Sequence, residues 1–168
     1  MGYWAETMDV DFSIKKENLE KAYEALCELN KHDNLKYGRT GLTSKPEHST
    51  SAAKNPGMCF SWMDWNYDEI FNTAQEIFEE LGFDAAFNAD GDLELYGYSA
   101  KTGSEEVFLN SVAPFVKNGS YIEWRGEDGS MWRNFFESGV MTTQHAEIVS
   151  SELVVAACLS TFLSTICG

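Results

Sequence analysis

The hydrophobic positions along the chain change period several times, and each change marks a predicted element. Met8, Val10, Phe12 and Ile14 alternate with Asp9, Asp11 and Ser13, which predicts a strand over 5–14 with one wet face. Over 16–31 the spacing becomes helical: Leu19, Ala22, Tyr23, Leu26 and Leu29 form an apolar stripe, with Glu17, Glu20, Glu24 and Glu28 outside it. The stretch 33–57 has no period. It is rich in Ser, Thr, Gly, Lys and Asn, contains Pro46 and Pro56, and is expected to be one long, mobile loop. Residues 58–63 read as a short buried strand. Asn66 followed by Glu69 matches a capping box, and Ile70, Phe71, Ala74, Ile77, Phe78 and Leu81 predict a helix over 67–81, stopped by Gly82. Strands over 83–88 and 92–98 flank Ala89-Asp90-Gly91, a hairpin turn. Ser104 is the expected cap of a third helix, 105–116, with Pro114 bending its last turn.

The strongest pattern lies at 119–136. Two alternating runs, 121–125 and 131–136, flank Glu127-Asp128-Gly129-Ser130, and an Asp-Gly between such runs is a strong hairpin signal. Tyr121, Trp124 and Trp132 make this hairpin the expected nucleus of the core, and a last strand should run over 140–149. The order β-α-(loop)-β-α-β-β-α-β-β-β predicts an α+β domain over 1–149. Its expected form is a mostly antiparallel sheet with three helices on one face, built on a ferredoxin-like split βαβ core with extra strands. The tail 150–168 stands apart: 153–167 carries no charge, yet as helix it would reach only ~22 Å against a bilayer core of ~30 Å. A terminal helix packed on the domain, or on a second copy in a homodimer, is the leading reading; a membrane-associated tail is the alternative.

Charge changes the picture more than composition does. Twelve basic and 27 acidic residues give a net −15 over 168 residues. Residues 1–56 hold 8 basic and 9 acidic residues, whereas 57–168 hold 4 and 18; over 60–110 Lys101 is the one base among twelve acids. The loop, with Lys31 at its start and Lys36, Arg39, Lys45 and Lys54 within it, is the least acidic part. Such a field repels nucleic acid and anionic membranes and attracts basic protein surfaces. The start of the chain lacks the basic and apolar regions of a secretory signal, and Cys27, Cys59, Cys158 and Cys167 form no CxxC pair. A cytoplasmic protein with reduced thiols is expected.

Motifs for chemistry are sparse. His32, His48 and His145 fall in no zinc-type spacing, and no phosphate-cradling glycine loop or nucleophile elbow occurs. Asn88-Ala89-Asp90-Gly91-Asp92 has the alternating oxygens of a calcium loop, but Glu94 comes too early for its last ligand and a strand follows, so a turn is the reading. Trp124-Arg125 and Trp132-Arg133 should place both arginines opposite the tryptophans, where they pair with acids or bind an anion. No metal, cofactor or catalytic residue is expected, and the protein is read as non-enzymatic.

On the predicted helix 67–81, Asp68, Glu69, Glu76, Glu79 and Glu80 lie off the apolar stripe. Five charges over some 13 residues is one per ~4 Å, close to the ~3.4 Å between phosphates of a nucleic-acid strand. With Asp84, Asp90, Asp92, Glu94, Glu105 and Glu106, they form the candidate surface for a basic partner. The stretch SVAPFVKNGSYIEWRGEDG, with the opening MGYWAETMDVDFSIKKENLEKA, resembles small uncharacterised proteins of bacteria, phages and prophages. That resemblance covers about half the chain and brings no catalytic residues. It implies a mobile-element accessory protein that binds and blocks a host protein, of the anti-CRISPR or anti-restriction type. The alternative is a small-ligand module or small enzyme with a pocket under the 33–57 loop.

Overall fold

The computed structural model describes residues 2–38 and 57–146. Residues 39–56 of the expected 33–57 loop, with Arg39, Lys45, His48 and Lys54, and the stretch 147–168, which ends the predicted last strand and holds the apolar tail, lie outside the described residues.

Alternating runs become strands, helical stripes become helices, and their order is β1 (Trp4–Ile14), α1 (Leu19–Leu29), β2 (Tyr37–Gly38), β3 (Met58–Cys59), α2 (Tyr67–Ile70), α3 (Ala74–Glu80), β4 (Phe83–Phe87), β5 (Leu93–Lys101), α4 (Glu105–Val112), β6 (Tyr121–Gly126), β7 (Met131–Glu137) and β8 (Val140–His145). Six strands form one sheet in the order β4-β5-β1-β6-β7-β8, antiparallel at every step, and β2 pairs with β3 separately. The α+β class and the antiparallel sheet are as expected. Helix α1 packs on α3 and α4, and α3 lies along the edge strand β4. Phe12, Phe78, Phe83, Tyr98, Trp124 and Phe136, each 3% exposed or less, meet ring to ring at centroid distances of 5.0–6.1 Å. Edge-to-face pairing of this kind adds to burial, so the aromatic hairpin does supply a core centre.

Several expectations need correction. Met8 is 47% exposed rather than inward. A bulge shifts β1 against β6 between Thr7 and Asp9. One extra residue inverts the two-residue period, so Ala5 is buried before the bulge and Phe12 and Ile14 after it. Tyr121 is not in the core: it shares parity with Glu123 and Arg125, on the face away from Ile122 and Trp124. The strand over 58–63 stops at Cys59, and the chain then turns through Trp62, whose φ is +66°. Lys36 is a buried side chain, not a loop charge, and its ammonium donates to Asn30 O and Asp33 Oδ1 beside the Phe60 ring.

The predicted helix over 67–81 is also two pieces, which replaces the expected three helices by α1, α2, α3 and α4. Phe71 is extended (φ −94°, ψ 147°), and α3 starts afresh at Thr73. The capping box is Thr73 with Glu76: Thr73 Oγ1 accepts from Glu76 N at 3.2 Å, and Glu76 Oε2 accepts from Thr73 N at 3.2 Å and from Asn72 N at 2.7 Å. Asn66 makes no side-chain cap, nor does Ser104, whose hydroxyl instead accepts from Ser61 N at 3.2 Å. A true cap competes with helix continuation, because its hydrogen bonds require extended backbone at the cap itself. Beyond α4, Pro114 tightens the chain into a 3-10 turn over Ala113–Phe115. No helix of the described residues is long and apolar enough to cross a membrane.

Candidate functional site

The eleven acids of the predicted surface do not form one array. Asp68 accepts from Asn30 Nδ2 at 2.7 Å, Asp92 from Lys16 N at 2.8 Å, and Glu94 from Asn88 Nδ2 and Tyr96 OH at 2.7 and 2.8 Å. Glu76 serves the cap. Glu69 is exposed on α2, and Asp90 sits exposed at the tip of the β4–β5 turn. That turn is built by Asn88, whose Oδ1 accepts from Asp90 N and Asp92 N, both at 3.0 Å. Those oxygens hold backbone, in agreement with the turn reading. Glu79, Glu80 and Asp84 are exposed around the α3–β4 connection at one edge of the sheet. Glu106 hydrogen-bonds Thr143 on β8, the opposite edge. Five strand spacings of ~4.8 Å separate the two groups. The break at Phe71 likewise removes the straight helix on which the phosphate-like spacing rested.

Glu105 is only 6% exposed. It opens α4, where unpaired backbone N–H groups favour a carboxylate. Its Oε1 accepts from Tyr98 OH at 2.7 Å, and both oxygens lie 2.8 Å from Gly103 N. Burial, then this bond to the carboxylate, pushes the Tyr98 phenol above its ordinary value. Glu105 is therefore a bracket between α4 and β5 and cannot face a partner protein.

Beside it lies a concavity of about 570 Å³, in the corner between the start of α4 and strands β6, β7 and β8. That size is ordinary for a ligand site. Trp124 and Trp132, opposite each other on β6 and β7, stack at 5.9 Å and 6° in its wall. A directed chain of hydrogen bonds crosses it: Trp124 Nε1 donates to Asn134 Oδ1 (2.7 Å), Asn134 Nδ2 to Thr143 Oγ1 (3.0 Å), and Thr143 Oγ1 to Glu106 Oε1 (2.8 Å). Each donor fixes the orientation of the next group, so the Glu106 carboxylate is held in place at the cavity. Tyr3 and Ser130 form the rim, and the Tyr3 hydroxyl donates to Asp128. That bond, with those from Ser130, holds the Asp128 carboxyl down at about 2. A Cβ at Gly126 would overlap the Tyr3 hydroxyl, so a larger residue there would displace Tyr3 from the rim.

The expected pocket under the 33–57 loop falls on residues outside those described, and in the sequence no motif marks Asn134, Thr143 or His145 as lining of the present cavity. One signal was present. Asn134 has inward parity between Trp132 and Phe136, and a polar residue there must find buried partners. On the opposite face, Arg125 pairs with Glu6 and Arg133 with Glu123, and Arg133 lies 5.0 Å over the Tyr121 ring. The two arginines thus share one face and pair with acids. Among the described residues, no group of three or more His, Cys, Asp and Glu could hold a metal ion. In comparisons with known proteins, no family model matches this chain, and neither a curated protein nor a solved structure matches it.

Proposed function

We propose that the chain is a non-enzymatic binding protein whose α3–β4 edge docks on a basic surface of another protein. One observation carries this reading: Glu79, Glu80 and Asp84 are exposed, and no lysine or arginine among the described residues pairs with them. The ion pairs between described residues use Glu28, Asp33, Glu6 and Glu123 instead. Carboxylates that no described lysine or arginine pairs with, on a protein of net charge −15, steer cationic surfaces toward them. The most specific form is inhibition of a host nucleic-acid-binding or defence protein of the CRISPR or restriction type, in the cytoplasm, which the phage-like hairpin sequence supports. The order β4-β5-β1-β6, with α1 and α4 in its two crossovers, supports a ferredoxin-like split βαβ core to which β7 and β8 are added.

Capture from a bacterial lysate at low and high salt, with bound proteins identified by mass spectrometry, tests the reading. A nucleic-acid-binding protein held at low salt, released at high salt and lost with E79K/E80K/D84K is expected. Capture undiminished in that variant would reject the edge. Glu76 is left intact, because reversing it would break the α3 cap and confuse folding with binding.

A further inference from the structure

We infer that the cavity between Trp132 and Glu106 is a receptor for a guanidinium group, an arginine side chain presented by the basic partner proposed above. The inference rests on that proposal only for the origin of the arginine; the recognition chemistry stands on the cavity itself.

Its lining contains two carboxylates, Glu105 and Glu106, and neither lysine nor arginine. Glu105 is spent on Tyr98 and Gly103, and with Glu106 it already occupies the positive end of α4. An anion would therefore meet carboxylates rather than free N–H groups. Glu106 is different. It is exposed, forms no ion pair among the described residues, and is oriented by the Trp124–Asn134–Thr143 chain through one oxygen. The half-buried Trp132 ring lines the same space. Carboxylate plus aromatic ring is a matched pair for guanidinium, whose flat cation stacks on a ring while its edge donates to an oxygen. The protein uses this chemistry once already: Arg133 lies 5.0 Å over Tyr121 and donates from Nε to Glu123 at 3.0 Å. The cavity presents the same two components, and its volume has room for the side chain. The tail at 147–168 cannot supply the cation, since it holds no lysine or arginine.

The test is a titration of the full-length, isotope-labelled protein with acetyl-Gly-Arg-Gly-amide, followed through the Trp132 indole and Thr143 amide signals. Matched peptides carrying Lys or Gln in place of Arg serve as references. Saturable shifts with the Arg peptide are expected, weaker ones with Lys and none with Gln. E106Q keeps an acceptor for Thr143 while removing the charge, and is expected to lower affinity roughly tenfold or more. W132L, with its folded spectrum as control, should lower it as well. Equal response to the Gln or Lys peptide, no saturable shift, or unchanged affinity in E106Q would overturn the assignment. E79K/E80K/D84K is expected to leave the tripeptide affinity within about twofold. Partner capture lost in that variant yet intact in E106Q, with no Arg-peptide binding, would reject the receptor and keep the docking edge. Arg-peptide binding lost in E106Q with no salt-dependent capture would keep the receptor and reject the edge.

Discussion

Thr73 and Glu76 show how single side chains decide where an element starts. The apolar stripe through Ile70, Phe71, Ala74, Ile77 and Phe78 favours one helix, yet the pair closes a capping box and the chain breaks at Phe71. Replacing a Thr cap by Ala costs ~1 kcal/mol in typical hosts. Thr73→Ala is accordingly expected to lower unfolding stability by about that amount in a denaturant titration; an unchanged midpoint would show that packing of Ile77 and Phe78, not the cap, positions α3. The box is legible in the sequence, since Thr73-x-x-Glu76 has the same form as Asn66-x-x-Glu69. Spacing alone cannot rank two such matches. What separates them is that Asn66 leads into a single turn, whereas Thr73 leads into the helix that buries Ile77 and Phe78 on β4 and the core. The bulge at Met8 is a similar case: the alternation was correct on either side of it, and only the neighbouring strand reveals the extra residue.

At the scale of elements, the rings carry the connections. Phe108 on α4 is fully buried, 4.9 Å from Phe60 and 5.5 Å from Tyr67. It joins α4, the turn after β3 and α2 in one cluster, while the Tyr67 hydroxyl reaches back to Leu26 O on α1 at 2.6 Å. Phe→Ala at such a site removes transfer energy and leaves a cavity, ~3–5 kcal/mol together. Phe108→Ala should therefore destabilise the protein by about that range and, with α4 loosened, perturb the Glu105 bracket and the Trp132 cavity. A loss under ~1 kcal/mol would mean the cluster closes over the gap. The hairpins β4-β5, β6-β7 and β7-β8 were readable because both strands of each and the turn between them are contiguous in the chain. The cavity was not, because its wall combines Tyr3, the start of α4 and three strands, and no local pattern reports which distant residues share a corner. The inward parity of Asn134 was its single trace.

For the whole molecule, one property serves two opposed effects. A net charge of −15 repels itself in the compact state and also draws in cationic partners. Added salt screens both, over a Debye length of ~8 Å at physiological ionic strength. Screening self-repulsion raises stability, whereas screening attraction weakens binding. The melting temperature of the free protein should thus rise between low and moderate sodium chloride while partner capture falls. E79K/E80K/D84K adds six charge units, taking −15 to −9, so its melting temperature should depend less on salt than that of the parent. If the edge acids serve solubility alone, the thermal effect appears and capture is insensitive to the reversals. If they form a docking edge, both responses appear and carry opposite signs in the same salt series. A melting temperature indifferent to salt in both proteins would show that the carboxylates lie too far apart to repel one another, and the steering argument would lose its physical basis.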